Sequence, residues 1–156
     1  MIRGIHHATI STGDLDRSLR FYRDLLGFEV AHTISWKSGV AVADRLTGLE
    51  DSAATLVMLR AGNAYVELVH YEHPDPRPGD PERPVCDHGI THICFDVSNV
   101  DEEYNRLKDA GVVFHCAPKT IDDGRIRTTY GRDPDGNVLE FQEIQQANCD
   151  FALERA

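Results

Sequence analysis

The stretch that decides the fold is Gly89-Ile90-Thr91-His92-Ile93-Cys94-Phe95-Asp96-Val97, because a shorter version of it, Gly4-Ile5-His6-His7-Ala8-Thr9-Ile10, stands near the beginning of the chain. Both stretches are apolar and rich in β-branched residues, a composition that predicts buried strands. The fourth residue of each stretch is a histidine, and these two, His7 and His92, lie 85 residues apart (92 − 7). This likeness indicates that one structural motif occurs twice in the chain.

A second pair of landmarks supports the repeat. Gly27 and Gly111 follow the two predicted helices and lie 84 residues apart (111 − 27), almost the same offset. Each half therefore predicts the element order βαβββ. In the first half we expect strands at 4–10, 28–35, 55–59 and 64–69 and a helix at 15–26, while residues 36–53 fit no element clearly. In the second half we expect strands at 90–97, 112–116, 126–131 and 137–143 and a helix capped by Ser98 or Asn99.

A proline-rich segment separates the two halves. Residues 74–84 hold five of the seven prolines, so this segment can neither continue a sheet nor form the interior of a helix. We expect a single domain over 1–156, with module one at 4–73, a linker at 74–87, module two at 88–143 and a C-terminal tail at 144–156. For the tail, a terminal helix and a frayed end remain alternatives.

Composition excludes several classes of function. The chain has 16 Lys and Arg against 26 Asp and Glu, a net charge of −10, which disfavours binding to nucleic acid. No run of about 18 apolar residues and no leader-like segment is present, so we expect neither a membrane span nor export. The four cysteines show no CxxC spacing, which indicates reduced thiols and a cytoplasmic protein.

Two histidines and two glutamates are candidates for chemistry. His7 and His92 alone among the eight histidines stand at equivalent positions of the repeat, and Glu67 and Glu140 each lie mid-strand between apolar neighbours. Each residue taken singly is more often structural than functional. Taken together they are suggestive, because buried charge is stable mainly when it is paired or bound to a metal. Nitrogen and carboxylate donors suit a divalent first-row ion.

At this point the chain resembles a known family. The repeat, the histidine that opens each half and the sequence Asp133-Pro134-Asp135-Gly136-Asn137-Val138-Leu139-Glu140-Phe141 are similar to those of the vicinal oxygen chelate superfamily, over residues 4–143. The resemblance implies an α+β fold in which two tandem βαβββ modules form a cupped, open barrel-like sheet around a metal. It implies one divalent ion, whether Ni, Co, Mn, Zn or Fe, with four ligands: His7, Glu67, His92 and Glu140.

The resemblance also implies a type of reaction. A carboxylate at Glu67 favours an isomerase, epimerase or lyase that abstracts a proton next to a metal-bound carbonyl of a small carbonyl or acyl substrate. The second half is most similar to methylmalonyl-CoA epimerase, although Thr91 replaces the first histidine of that enzyme's pattern. The epimerase carries a catalytic glutamate before its third strand, and the resemblance implies Glu50 for this role, with Asp51 as the alternative. It also implies Glu140 as a second catalytic carboxylate.

Other members of the family leave alternatives open. Extradiol ring-cleaving dioxygenases use two histidines and one carboxylate, and bleomycin-resistance-like proteins bind a ligand without chemistry. Glyoxalase I-like members carry an arginine for glutathione where this chain has Ser11. Arg125, Arg127 and Arg132 are candidates for a patch that binds an anionic substrate, or are solvated charges at a strand edge. The family's habit of pairing subunits implies a homodimer.

Overall fold

The computed structural model describes residues 1–146 and 149–153 and contains two sheets, of four and five strands, with few helices. The chain divides into two compact units, Met1–Gly79 and Asp80–Ala156. Neither sheet closes on itself. The predicted α+β class is confirmed.

The first unit holds four strands and three helical segments. These are β1 (His7–Ser11), α1 (Leu15–Leu19), a π-helix (Arg20–Leu25), β2 (Glu29–Trp36), α2 (Ala41–Thr47), β3 (Ala53–Ala61) and β4 (Ala64–His73). The strand order is β1-β4-β3-β2, with β1 parallel to β4 and the other pairs antiparallel. The helix α2 occupies the stretch that the sequence pattern left unassigned.

The first helical segment differs from the single α-helix that the sequence predicts. Its N-terminus is as expected, because the Asp14 carboxylate accepts a hydrogen bond from the backbone N–H of Arg17 at 2.9 Å. The chain then widens into the π-helix, which ends where the Leu26 N–H donates to the Phe21 carbonyl, five residues back. Apolar periodicity cannot distinguish this wider turn from an α-helical one. Gly27, at φ +78°, follows the segment.

Alternation along β4 separates the two faces of the first sheet. Val66 and Leu68 are buried, whereas Glu67 between them points to the opposite face. On that open face the strand register aligns Glu67 with Thr9 of β1 and with Met58 of β3. The predicted placement of Glu67 on the face away from its apolar neighbours follows from this register.

The second unit holds five strands. Its elements are β5 (His92–Asp96), α3 (Val100–Asp109), β6 (Val113–Phe114), β7 (Lys119–Ile121), a 3₁₀ turn (Asp122–Gly124), β8 (Ile126–Arg132) and β9 (Val138–Ile144). The strand order is β5-β9-β8-β6, and β7 also pairs with β8. Asn99 is the cap of α3, since its side chain accepts a hydrogen bond from the Glu102 N–H at 3.2 Å. The sequence pattern did not predict β7.

The turn between β8 and β9 is held by hydrogen bonds to one side chain and by a close backbone contact. The Asp133 carboxylate accepts hydrogen bonds from the backbone N–H groups of Asp135 at 2.9 Å and Asn137 at 2.8 Å. Gly136 has φ +88°, and a Cβ atom at this position would lie only 2.3 Å from Cα of Pro81. These contacts explain why the turn requires an aspartate at 133 and a glycine at 136. They give neither residue a chemical role.

The described tail residues add no helix. The predicted tail at 144–156 begins at the last residue of β9, and residues 149–153 form turns rather than a helix. Residues 147–148 and 154–156 of the predicted tail lie outside the described part of the chain. In the part that is described, no helix has both the length and the apolar character needed to cross a bilayer.

Candidate functional site

The first unit brings one predicted histidine next to one predicted glutamate. His7 on β1 and Glu67 on the parallel neighbour β4 approach to 3.9 Å between Nε2 and Oε2. The Thr9 hydroxyl donates a hydrogen bond of 2.9 Å to the same carboxylate oxygen. The His7 side chain is 37% exposed and the Glu67 side chain 12%. A solute can therefore reach the imidazole, while the sheet largely shields the carboxylate.

The second unit repeats this arrangement. His92 on β5 and Glu140 on β9 approach to 3.1 Å between Nε2 and Oε2. The buried Thr128 hydroxyl on β8 donates a hydrogen bond of 2.7 Å to the other carboxylate oxygen of Glu140. The exposed fractions, 30% for His92 and 11% for Glu140, match those of the first pair. The repeat thus extends from the sequence to the side-chain geometry.

The residue before each histidine engages the other ring nitrogen. His6 Nδ1 lies 2.9 Å from His7 Nδ1, and the Thr91 hydroxyl lies 2.8 Å from His92 Nδ1. Because Nδ1 is occupied, Nε2 is the nitrogen that faces the carboxylate in both pairs. A partner on the second nitrogen is the usual means by which a metal-binding histidine is oriented. His6 and Thr91 therefore occupy the same place beside the two imidazoles with different chemical groups.

Glu140 also affects two neighbours in the strand register. Cys94 on β5 and Tyr130 on β8 stand directly beside it. Burial, together with the charge of Glu140 and a hydrogen bond to it, raises the pKa of the Cys94 thiol to about 12. The same causes raise the pKa of Tyr130 to about 12. Both groups keep their protons at neutral pH, so they favour hydrogen bonding to the carboxylate over nucleophilic chemistry.

The donors of each pair fit a metal ion in kind. An imidazole nitrogen and a carboxylate oxygen are ligands that divalent first-row ions accept. Within residues 1–146 and 149–153, no group of three or more His, Cys, Asp or Glu side chains stands ready to hold a metal. The structure thus brings His7 to Glu67 and His92 to Glu140. The convergence of all four on one ion stays a prediction.

A cavity of about 270 Å³ lies on the open face of the first sheet. It is lined by His6, Ala31, His32, Ile34, Leu56, Met58, Tyr65 and Glu67. Four of these residues are apolar, and the other four, His6, His32, Tyr65 and Glu67, bring polar groups to the wall. Apolar walls with a few polar groups are the usual form of a small-molecule site.

The predicted base lies apart from this cavity. Glu50 is exposed in the turn that joins α2 to β3, and neither it nor Asp51 lines the cavity. The Asp44 carboxylate organises the turn by accepting hydrogen bonds from the backbone N–H groups of Asp51 at 3.2 Å and Ser52 at 2.7 Å. The roles of Glu50 and Asp51 in catalysis stay predictions.

The three arginines considered for an anion patch all have internal partners. Arg125 contacts Asp122 at 2.7 Å. Arg127 contacts Asp101 at 2.7 Å, and Arg132 donates to backbone carbonyls. These contacts favour a structural role. Nothing in the sequence pattern points to His32, whose place in the cavity wall depends on the pairing of β2 with β3.

Comparison with known proteins agrees with this architecture. A model of the Glyoxalase/Bleomycin resistance protein/Dioxygenase superfamily matches residues 4–141. A 2-epi-5-epi-valiolone epimerase of an Actinomyces species is 34% identical over 147 residues, covering 88% of this chain and 77% of that enzyme. An ethylmalonyl-CoA/methylmalonyl-CoA epimerase of Cereibacter sphaeroides is 28% identical over 148 residues, covering 92% of this chain and all of the enzyme.

A solved structure supports the same fold. The crystal structure of a glyoxalase family protein from Bacillus cereus superimposes with a TM-score of 0.80 at 20% sequence identity. The superposition covers 92% of this chain and 95% of that protein. The match of the family model over nearly the whole chain and the repeated modules lead to one conclusion: this chain belongs to the glyoxalase/bleomycin resistance protein/dioxygenase superfamily, which is the vicinal oxygen chelate superfamily.

Proposed function

We propose that this protein is a metal-dependent epimerase or isomerase, or else a lyase, that removes a proton next to the carbonyl of a small acyl or carbonyl compound. The observation that carries the proposal is the His–Glu pair in each unit, with Nε2 facing the carboxylate and Nδ1 engaged by the preceding residue. Membership of the superfamily and two relatives named as epimerases support it.

In this proposal one divalent ion is bound by four ligands: His7, Glu67, His92 and Glu140. When bound, such an ion acts as a Lewis acid that polarises a carbonyl oxygen and so makes the adjacent C–H bond more acidic. The chain itself contributes orientation. In the proposal, His6 and Thr91 contact Nδ1 of the two imidazoles and so leave Nε2 for the ion.

The proton is moved by carboxylates. Glu50 accepts the proton from the substrate carbon on one of its oxygens, and Asp51 is its rival. The Thr128 hydroxyl donates a hydrogen bond of 2.7 Å to Glu140, which in this proposal is the second catalytic carboxylate as well as a ligand of the ion. We extend the proposal to a cytoplasmic homodimer, as the family resemblance implies.

Metal analysis and isotope exchange test the proposal together. We expect about one divalent ion per chain after purification with Ni, Co, Mn, Zn or Fe supplied. The loaded protein should exchange solvent deuterium into a 2-methylacyl or 2-hydroxyacyl compound, and removal of the ion should abolish this exchange. Glu50→Gln should slow exchange by about 10²–10⁴-fold at unchanged metal content.

Three outcomes would redirect the proposal. Protein that neither contains nor takes up a metal would point to a binding protein of the bleomycin-resistance type. Metal-loaded protein that consumes oxygen with catechols would favour the dioxygenase reaction instead. Normal exchange by Glu50→Gln would reject Glu50 as the base while leaving the proton-transfer reaction intact.

A further inference from the structure

The guanidinium of Arg60 lies at the edge of the cavity in the first sheet. Arg60 stands on β3 two residues after Met58, so both side chains point to the open face. The guanidinium carbon lies 5.1 Å from the ring centroid of Tyr65, which is one of the residues that line the cavity. Arg60 therefore borders the cavity at the side where Tyr65 forms the wall.

The ring of Tyr65 lies between two neighbours. The strand order β1-β4-β3 places Tyr65 of β4 between His6, which precedes β1, and Arg60 of β3. The rings of His6 and Tyr65 stack, with centroids 4.9 Å apart and an angle of 16° between their planes. The Tyr65 N–H also donates a hydrogen bond of 3.0 Å to the His6 carbonyl. These contacts hold the aromatic surface on which the guanidinium lies.

The hydrogen-bond donors of Arg60 are free for a ligand. Across residues 1–146 and 149–153, no hydrogen bond or ion pair engages the Arg60 side chain. Glu29 stands opposite Arg60 in the register of β2 and β3, yet the two charges form no ion pair within these residues. The arginines of the second unit that were considered above all have internal partners. Arg60 differs from them because its planar fork of N–H groups has none in the described part of the chain.

A guanidinium of this kind suits an anionic ligand. Its planar fork can donate two parallel hydrogen bonds to one carboxylate or one phosphate. The chain carries a net charge of −10, so the protein as a whole repels anions, and an anionic small molecule needs a local cation. Arg60 supplies that cation on the same face of the sheet as Glu67.

The register indicates the size of the ligand. Arg60 pairs with Tyr65 across the strands, and Tyr65 lies two residues before Glu67 along β4. Strands lie about 4.8 Å apart and rise about 3.4 Å per residue, so the Cα atoms of Arg60 and Glu67 are about 8 Å apart. A ligand that reaches from the Glu67 carboxylate to the guanidinium is therefore compact. An anion a few bonds away from a carbonyl fits this span.

We propose that Arg60 determines substrate specificity by binding the anionic end of a small carbonyl compound, a carboxylate or a phosphate that lies a few bonds from the carbonyl. This inference rests on the proposed function, since it names the substrate class of that same site. The carbonyl lies toward Glu67 and the anion toward Arg60. The apolar side chains of Ile34, Leu56 and Met58 line the cavity beside the carbon body between them.

The experiment compares the binding of three ketones to metal-free and metal-loaded protein by NMR titration. 4-Oxopentanoate and 3-oxobutylphosphonate each carry an anion two methylene groups from the carbonyl, and 4-oxopentanamide is the neutral counterpart of the first. Wild-type protein should bind at least one anion about tenfold more tightly than the amide, because charge-assisted hydrogen bonds are stronger than neutral ones. The anion that binds more tightly distinguishes a carboxylate from a phosphate.

Variants assign this preference to one side chain. Arg60→Met should bind the anion no more tightly than the amide, and its affinity for the amide should stay within about twofold of wild type. Arg60→Lys should keep part of the preference, because the ammonium keeps the charge but lacks the planar fork. The matched control is Arg77→Met, which removes the same charge from an exposed arginine of the linker and should keep the full preference. In wild type the Nε–H signal of Arg60 should shift with the anion and not with the amide.

Several results would overturn the inference. These are equal affinity of wild type for the anions and the amide, a preference for the anion that survives in Arg60→Met, and weak binding of all three ketones with no shift of the Arg60 signal. The titrations need no catalysis, so the proposed function is tested separately. Protein that exchanges deuterium into a neutral carbonyl compound but shows no anion preference would keep the proposed function and lose this inference. Protein without metal or exchange that still prefers the anion through Arg60 would lose the proposed function and keep the anion site.

Discussion

Replacement of Thr91 by valine tests whether the residue before each histidine orients a metal ligand. Valine has nearly the shape of threonine but lacks the hydroxyl that lies 2.8 Å from His92 Nδ1. Without that partner the His92 ring is free to rotate or to change tautomer. Its Nε2 is then no longer held 3.1 Å from the Glu140 carboxylate. We therefore expect weaker metal binding rather than a loss of folding.

The exposure of His92 sets the size of this effect. Loss of a second partner of a metal-binding histidine costs about 10–100-fold in affinity. The His92 side chain is 30% exposed, so water can replace part of the lost hydrogen bond. We expect a loss near the lower limit, about tenfold, which corresponds to about 1.4 kcal/mol.

A competition titration with a fluorescent zinc chelator measures this change. Thr91→Ser keeps the hydroxyl and should bind zinc within about twofold of wild type, while Thr91→Val should bind about tenfold more weakly. The free energy of unfolding of the metal-free variants should fall by no more than about 1.5 kcal/mol, the usual limit for one neutral hydrogen bond. Equal affinity of the valine and serine variants would refute the orienting role.

Three further predictions concern the ligand set, the turn and the pH dependence of stability. If Glu67 is a metal ligand, Glu67→Ala should weaken metal binding about as much as His92→Ala in the same chelator assay; an unchanged affinity would favour a three-ligand site. Gly136→Ala should lower the free energy of unfolding in urea by at least about 2 kcal/mol, because the new Cβ meets the linker backbone at a positive φ, whereas Gly13→Ala, with open space, should not. Hydrogen bonds from the side chain and backbone of Ser52 lower the pKa of Asp44. The contribution of Asp44 to stability is therefore present above about pH 4 and is lost as the pH falls through the lowered pKa. The difference in urea midpoint between wild type and Asp44→Asn should shrink between about pH 7 and about pH 2.

The sequence by itself determined the repeat and the α+β class, and it singled out the two histidines and two glutamates that the structure brings together in pairs. This was possible because side-chain alternation and a repeated offset can be read along the chain. A strand with alternating side chains places Glu67 away from its buried neighbours, and the equal offset of His7 and His92 reveals two copies of one motif. The cap at Asn99 was similarly visible as one of two adjacent polar residues at a helix start.

Other features were decided only by tertiary structure. Strict alternation places His32 on the same face as Val30, and only the pairing of β2 with β3 shows that Ala31 is an extra residue which reverses this assignment. Thr91 appears in the sequence as a substitution, yet in three dimensions its hydroxyl takes the place of the His6 ring. In both cases the decisive fact is a hydrogen bond or a strand register, which depends on neighbours in space rather than on the order of residues along the chain.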